Sequence, residues 1–547
     1  HTAFFPPAKV QGMQHFFYFC ADINPFLFMP RLSLSDGWRT AAVGFVVSWL
    51  LLWLWWGDVL WLTAENSYYG SGGAQMHFLW QQPYGALWTA GRALLVTCHV
   101  PALGAALLAL VLTACAVLLR YTFRMRYATE WIAVAAFLVW MVHQGLDMFW
   151  QSEPGRLFGI PLLALALLAI ESFILWTFRR RKSREATATT TAPLTWRDSA
   201  VRVAVLAASL SVPVVYASIM RPYVRTQCHV QRAMERGDWR EMADASRAGA
   251  HYTTRPLAAY HAIALVRLDE VLDHAFDLLY IYKDVDVRDR AGLSDQSHGY
   301  FVVDCDFHAG LLQASYHKAM EALTMEGPTV HLLKRMCQVA VMRGERGVAD
   351  KYLELLRRES FCSDFVEQWQ AYNRDSTLLE ADPMVQSIRQ LEPIHDSMEG
   401  NYVQPTFLGY NIVLSEGRSP QALENSIAVC LYTKLMPAFM ERARFMNPER
   451  LNTRSVALDA LTMQASKVAG VEESVPAVRY RKARFASFVQ SMQAAGATGD
   501  TEARKPYAQQ MLEQWQAYYP AYYFFGNLDA TVRGAAKHYG YENAGVN

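Results

Sequence analysis

The sequence predicts an all-α protein in two parts: a transmembrane helix bundle of about five spans, then a soluble α-solenoid of tetratricopeptide-like helix pairs. Three observations carry this. Long apolar runs with few acids fill residues 41–220. From 221 onward the chain is rich in charge and keeps a helical period, with few alternating β-branched runs. Between the halves stands Arg179 to Met220, where Arg179, Arg180, Arg181, Lys182 and Arg184 close one apolar run and a Thr/Ala-rich linker leads to the last one. The overall balance (547 residues, net charge +1, 52% hydrophobic, 18% charged) averages two unlike halves. Near-neutrality argues against a nucleic-acid partner, which needs a concentrated basic face.

Residues 1–40 form an aromatic N-terminal segment (HFFYFCADINPFLFMP) broken by Pro25 and Pro30, without a signal-peptide pattern. It opens on His1 rather than Met, so processing or residues ahead of it are expected. Stretches 41–62, 101–119, 129–150, 157–178 and 203–220 each suffice to span. Residues 84–100 carry Arg92 and read as an amphipathic or re-entrant helix. Pro101 suits a first helical turn, Pro213 kinks the last span, and Arg202 snorkels at its edge. With five spans, Arg31 and Arg39, then Arg120, Arg124 and Arg126, then the 179–184 cluster, all fall on one side. The positive-inside rule makes that side the cytoplasm of a bacterial inner membrane. Residues 63–83, 151–156 and 221–547 then lie outside, in the periplasm.

Several pieces of the soluble part read as helix–turn–helix pairs. Ala233 to Ala245 turns at Gly237-Asp238 and reopens with Trp239. Leu332 to Leu356 turns at Arg343-Gly344 and places Val348, Ala349, Tyr352, Leu353 and Leu356 on one face. Leu408 to Ala443 gives a third, with its break at 416–420. Small residues such as Ala233, Ala340 and Ala349 sit where paired helices approach closely. Such pairs stack into a curved array with a concave binding face. The hexapeptide EQWQAY, at 367–372 and 513–518, is consistent with equivalent helices of a repeat. The aromatic tail YYPAYYFF, with Tyr522, Tyr523, Phe524 and Phe525, either caps the array or docks on a partner; with Trp239 it supplies the candidate interaction residues.

No Walker A loop, GxSxG, HExxH or CxxC motif is present, and no cofactor or metal is expected. Asp304, Asp306 and His308 in DCDFH, with His317, form the most metal-like group, but alternating acids of this kind read as a solvated loop. Of the eight cysteines, Cys337 and Cys362 are the pair to test for a disulfide, against buried free thiols. Polar groups inside the spans are few: Glu171 in the fourth, and His143 and Asp147 one turn apart in the third. They mark either a polar pathway or simple interhelical contacts. In the first outer loop, Glu65 of LTAENSYY is the one carboxylate resembling those of lipid-linked sugar transferases, a fold-level analogy.

The tract GSGGAQMHFLWQQPYGALWTAGRALLVTCHVPALGAALLALVL, the apolar hairpin, and ASYHKAMEAL with LKRMCQVAVMRGERGVADKYLELLRR together resemble a bacterial family of uncharacterised membrane proteins. The resemblance implies an N-terminal membrane bundle and a C-terminal tetratricopeptide-like region, and no catalytic residue. Three functions compete. A scaffold or accessory subunit of an envelope complex binds lipids and other envelope proteins through its repeats. A sugar transferase uses Glu65 and Asp147 at the outer face. A transport subunit uses Glu171 and His143. The first needs exposed repeat surface, the second a polar pocket, and the third a polar path across the bilayer.

Overall fold

In the computed structural model, residues 34–70, 80, 81, 83–144, 153–182, 196–249, 254–278, 301–392, 419–432, 434–465, 467, 468, 470–526 and 528 are described. Every regular element among them is helical, as expected.

Helix α1 (Leu34–Leu50) runs into a π-helical turn, Leu51–Trp55. The chain breaks at Trp56 and restarts as α2 (Gly57–Glu65), so the single helix expected over 41–62 is two. The wide π turn lets Trp55 and Trp56 stack at 5.0 Å, and Gly57 leaves room for Pro101 against the bend. All of α2 except Asp58 is buried, so this short helix belongs to the protein interior. Next come α3 (Gly85–Leu95), a 3₁₀ turn (Val96–His99) and α4 (Pro101–Phe123), with Pro101 in the first turn, where no N–H is needed. The bundle continues with α5 (Glu130–Gln144), α6 (Arg156–Lys182) and α7 (Trp196–Met220).

Among the described residues, four helices are long and apolar enough to cross a membrane: Gly37–Trp55, Pro101–Phe123, Arg156–Phe178 and Arg197–Met220. The fifth expected span, 129–150, is followed as α5 to Gln144; residues 145–150, with Asp147, lie outside the described set, as does Arg184. α7 starts well ahead of residue 203, so Arg202 does not snorkel at a helix edge. It is buried in the second turn of the helix, close to Glu130. The bundle core gathers Leu52, Leu60, Leu108, Trp131, Phe158 and Leu210. Gly44 is required there, because a Cβ at that position would lie 1.9 Å from the Trp131 ring.

Beyond α7, many successive helices pack against one another. α8 (Pro222–Glu235) and α9 (Trp239–Ala248) form the first expected pair. Gly237 (φ +71°) makes the turn, and Asp238 caps α9 by accepting the Glu241 N–H at 3.1 Å. α10 (Arg255–Arg267), α11 (Val271–His274), α12 (Phe301–His308) and α13 (Leu312–Glu326) lead to the second pair, α14 (Val330–Met342) and α15 (Arg346–Arg357). On α15, Ala349, Leu353 and Leu356 are buried, with Val348 and Tyr352 packed at the rim, the face the spacing predicts. Leu353→Ala is expected to cost about 3 kcal/mol, read as a lowered thermal midpoint; an unchanged midpoint would mean this face is not a closed core.

α16 (Ser363–Arg374), α17 (Ser376–Ala381) and α18 (Pro383–Arg389) follow. The third pair departs from expectation. Residues 401–418 lie outside the described set, and Pro420 opens a helix, α19 (Pro420–Tyr432), where a break was expected. The turn comes at Lys434 (φ +58°) instead, ahead of α20 (Met436–Ala443), whose first turn takes Pro437. α21 (Pro448–Leu451), α22 (Ser455–Ala465), α23 (Val471–Ser474), α24 (Val478–Ala494), α25 (Thr501–Arg504), α26 (Ala508–Gln514) and α27 (Tyr519–Phe525) complete the fold.

The two EQWQAY copies are not equivalent. The first lies inside α16 with Trp369 buried, while the second leaves α26 at Gln514 and turns. Pro520, in the first turn of α27, disfavours continued helix just ahead of it. The aromatic tail is core: Tyr522 and Phe525 are buried, Tyr522 lying 4.6 Å from the Phe276 ring, and Tyr523 and Phe524 are half-buried. Trp239 is also half-buried, with the Arg267 guanidinium 5.9 Å over its ring and His308 edge-on at 5.6 Å. These rings pack into the fold, Tyr522 and Phe525 wholly and Trp239, Tyr523 and Phe524 in part. The seven described cysteines are buried free thiols, Cys337 and Cys362 among them, and burial pushes both of those up to about 12.

Candidate functional site

Helix α2 carries two acids seven residues apart, which places both on one face two turns from each other. Each is met by cations from the helices that follow the bundle. Asp58 Oδ1 accepts from Arg232 at 2.6 Å, and Oδ2 lies 2.8 Å from His229 Nδ1. His229 Nε2 in turn lies 3.0 Å from Glu241. Burial pushes the Asp58 carboxyl up, but the His229 and Arg232 hydrogen bonds outweigh it and hold the group at about 2. The bond to Asp58 raises His229 above its ordinary value.

Glu65, at the tip of α2, is 2% exposed. Both of its oxygens accept from Lys334 Nζ, at 2.8 and 2.9 Å, and His99 Nε2 lies 3.6 Å away. Burial opposes its charge, yet Lys334 and His99 hold it below the ordinary carboxylate range, and Glu65 raises Lys334 in return. Phe361, at the turn after α15, stacks on His99 at 6.2 Å and keeps a left-handed backbone (φ +68°) to do so.

The segment after Glu65 threads into the same helices. Ser67 accepts the Val330 N–H at 3.0 Å, and the Tyr68 hydroxyl donates to the Leu355 carbonyl at 3.0 Å. The Tyr69 N–H donates to Glu359 at 2.9 Å. Arg92 reaches the Tyr68 carbonyl at 3.2 Å and pairs with Glu153, just ahead of α6. Burial, helped by nearby Glu65, raises Glu359 to about 7 against the Tyr69 and Gly70 N–H groups and Arg92.

Behind this joint Arg335 donates to Asp304 at 2.7 Å and to Glu235 at 2.5 Å. His331 Nε2 lies 3.0 Å from Asp304, and the Tyr260 hydroxyl donates to it at 3.1 Å. By spacing alone Glu235, Asp304 and His331 could hold a metal ion. They do not fit one, because the Arg335 guanidinium already bonds both carboxylates and supplies the cation. DCDFH is helical, so its side chains diverge: Asp304 to Arg335, Asp306 to Lys318 at 2.6 Å, and His308 to Arg267 at 3.1 Å.

The other expected site residues are scattered. His143 Nδ1 meets the Tyr216 hydroxyl at 2.7 Å at the end of α5. Glu171 lies exposed on α6, apart from it. Asp58, Arg92, His229, Arg232 and Glu359 were not anticipated, nor was Lys334 as the partner of Glu65. One signal was available: Lys334 and Arg335 are two cations inside the apolar run LLKRMCQVAVM.

An all-α chain with four membrane-capable helices among its described residues, to which a helical region is joined by buried ion pairs, defines a class of membrane protein. The chain belongs to the DUF6057 family, a family of unknown function, whose family model matches residues 156–526, from α6 through α27. No curated protein and no solved structure matches the chain.

Proposed function

We propose that the chain is an inner-membrane-anchored helical-repeat interaction protein, a scaffold or accessory subunit of a bacterial envelope complex, with residues 221–547 in the periplasm. The observation that carries this is the joint itself. Its acids are spent on Lys334, Arg232 and His229, which fixes the helical region on the membrane end and leaves no open carboxylate there among the described residues. Arg120 and Arg124 close α4, and Arg179 to Lys182 close α6, at the ends away from this joint, which supports a periplasmic helical region. Between α15 and α16 lies an open groove of about 480 Å³, lined by Arg346 and Arg374 together with Asp350 and the Glu354–Arg357 pair (2.6 Å); Arg346 and Arg374 are the cations it offers to an acidic segment of a partner.

The test is purification from native membranes in mild detergent, with sizing of the complex. Stoichiometric protein partners are expected, and they should be lost when Arg346→Glu is combined with Arg374→Glu at unchanged thermal midpoint. A single species without protein partners sinks the proposal. The runner-up, a lipid-linked sugar transferase, needs an accessible carboxylate, whereas both Glu65 oxygens rest on Lys334. Bound glycolipid in place of protein partners would favour it.

A further inference from the structure

α6 lies on the outside of the bundle, as α1 and α7 also do. It packs chiefly on α3 and α4, and only 28% of its apolar window is buried, against 50% for α4. Its open side carries Leu163, Leu167, Ile170, Ile174 and Phe178, at the three- and four-residue steps of a helix-packing seam. Apolar residues facing lipid need no explanation. Glu171 on the same open side does.

Ser172 faces inward and hydrogen-bonds Thr122 of α4, which turns the preceding side chain away from the bundle. Glu171 stands seven residues short of Phe178, about 10 Å along the axis from that end of the apolar window. A helical Cα–Cβ bond tilts toward the N-terminus, so the carboxyl leans toward the apolar middle and not toward the Arg179–Lys182 end. No hydrogen bond or ion pair reaches it from the described residues. A carboxyl group in hydrocarbon without a partner is costly, and such groups normally face a protein interior.

We infer that the open face of α6 around Glu171 is an intramembrane docking surface for a transmembrane helix of a partner protein, one carrying a lysine or arginine at the depth of Glu171. Charge complementarity selects this occupant. A second copy of the chain would bring a second carboxyl to the seam in place of a cation. Exposed alanines at 166 and 169 let a partner backbone approach closely. This surface is separate from the α15/α16 groove, so either can fail without the other.

The experiment compares native membranes with full-length protein purified to homogeneity and reconstituted in phosphatidylcholine nanodiscs. Both are treated with the lipid-soluble reagent dicyclohexylcarbodiimide, and modification of Glu171 is read by mass spectrometry, with Glu171→Gln as the blank. Protection of at least about threefold in native membranes is expected; equal modification overturns the inference. In parallel, a photo-cross-linking residue placed at Ile170 should join the chain to one different polypeptide. Adducts to lipid alone, to this chain itself, or to a second copy of it likewise overturn the inference.

Discussion

Lys334→Met is expected to lower stability by about 3–5 kcal/mol, because it leaves the Glu65 carboxylate buried without the cation that hydrogen-bonds both its oxygens. His99 is the nearest remaining group, at 3.6 Å, and lies beyond hydrogen-bond reach. The matched variant, Lys334→Met with Glu65→Leu, should recover most of the loss, since removing both charges also removes the cost of burying them. The measurement is the thermal midpoint of the full-length protein in detergent for the wild type, both single variants and the double. Additive losses would show that the two side chains do not act as a pair. The expected pattern would make the joint a stability element and not a reactive centre, in keeping with the proposed role.

Local signals were legible in the sequence and long-range ones were not. The four membrane-capable helices follow from apolar length, a property of consecutive residues, and the α8/α9 and α14/α15 turns follow from single glycines with positive φ. The joint depends on partners 269 residues apart, which no spacing rule connects. Misreadings share a cause. DCDFH looks like a solvated loop because its acids alternate, but on a helix that alternation sends Asp304, Asp306 and His308 to three different cations. YYPAYYFF reads as a cap ahead of a docking surface, without naming what it caps. What it packs on, Phe276 and Tyr432, comes from two distant parts of the chain. Arg202 reads as a helix-edge residue because the low hydropathy of 196–202 hides a helical start that opens on Trp196.

Glu359 should give the joint a pH dependence of its own. In the fold its carboxyl is raised from an ordinary value of 4.5 to about 7. Below about pH 4.5 it is protonated whether folded or unfolded, and its contribution to stability is fully present. As the pH rises toward 7 the unfolded chain ionises while the folded chain holds its proton, so stability falls; above 7 the folded group ionises as well and the loss levels off. The side chain is 5% exposed, so the full shift applies, and the loss across the window is about 3 kcal/mol. Glu359→Gln keeps an acceptor for the Tyr69 N–H and removes the titration. The difference in thermal midpoint between variant and wild type should therefore widen in the variant's favour from pH 4.5 to 7 and then stay constant. His229, whose raised value also costs stability as pH rises, titrates identically in both proteins and cancels in that difference. Parallel curves across the window would mean that Glu359 ionises like an exposed carboxylate and that Tyr69 and Gly70 are not held as described.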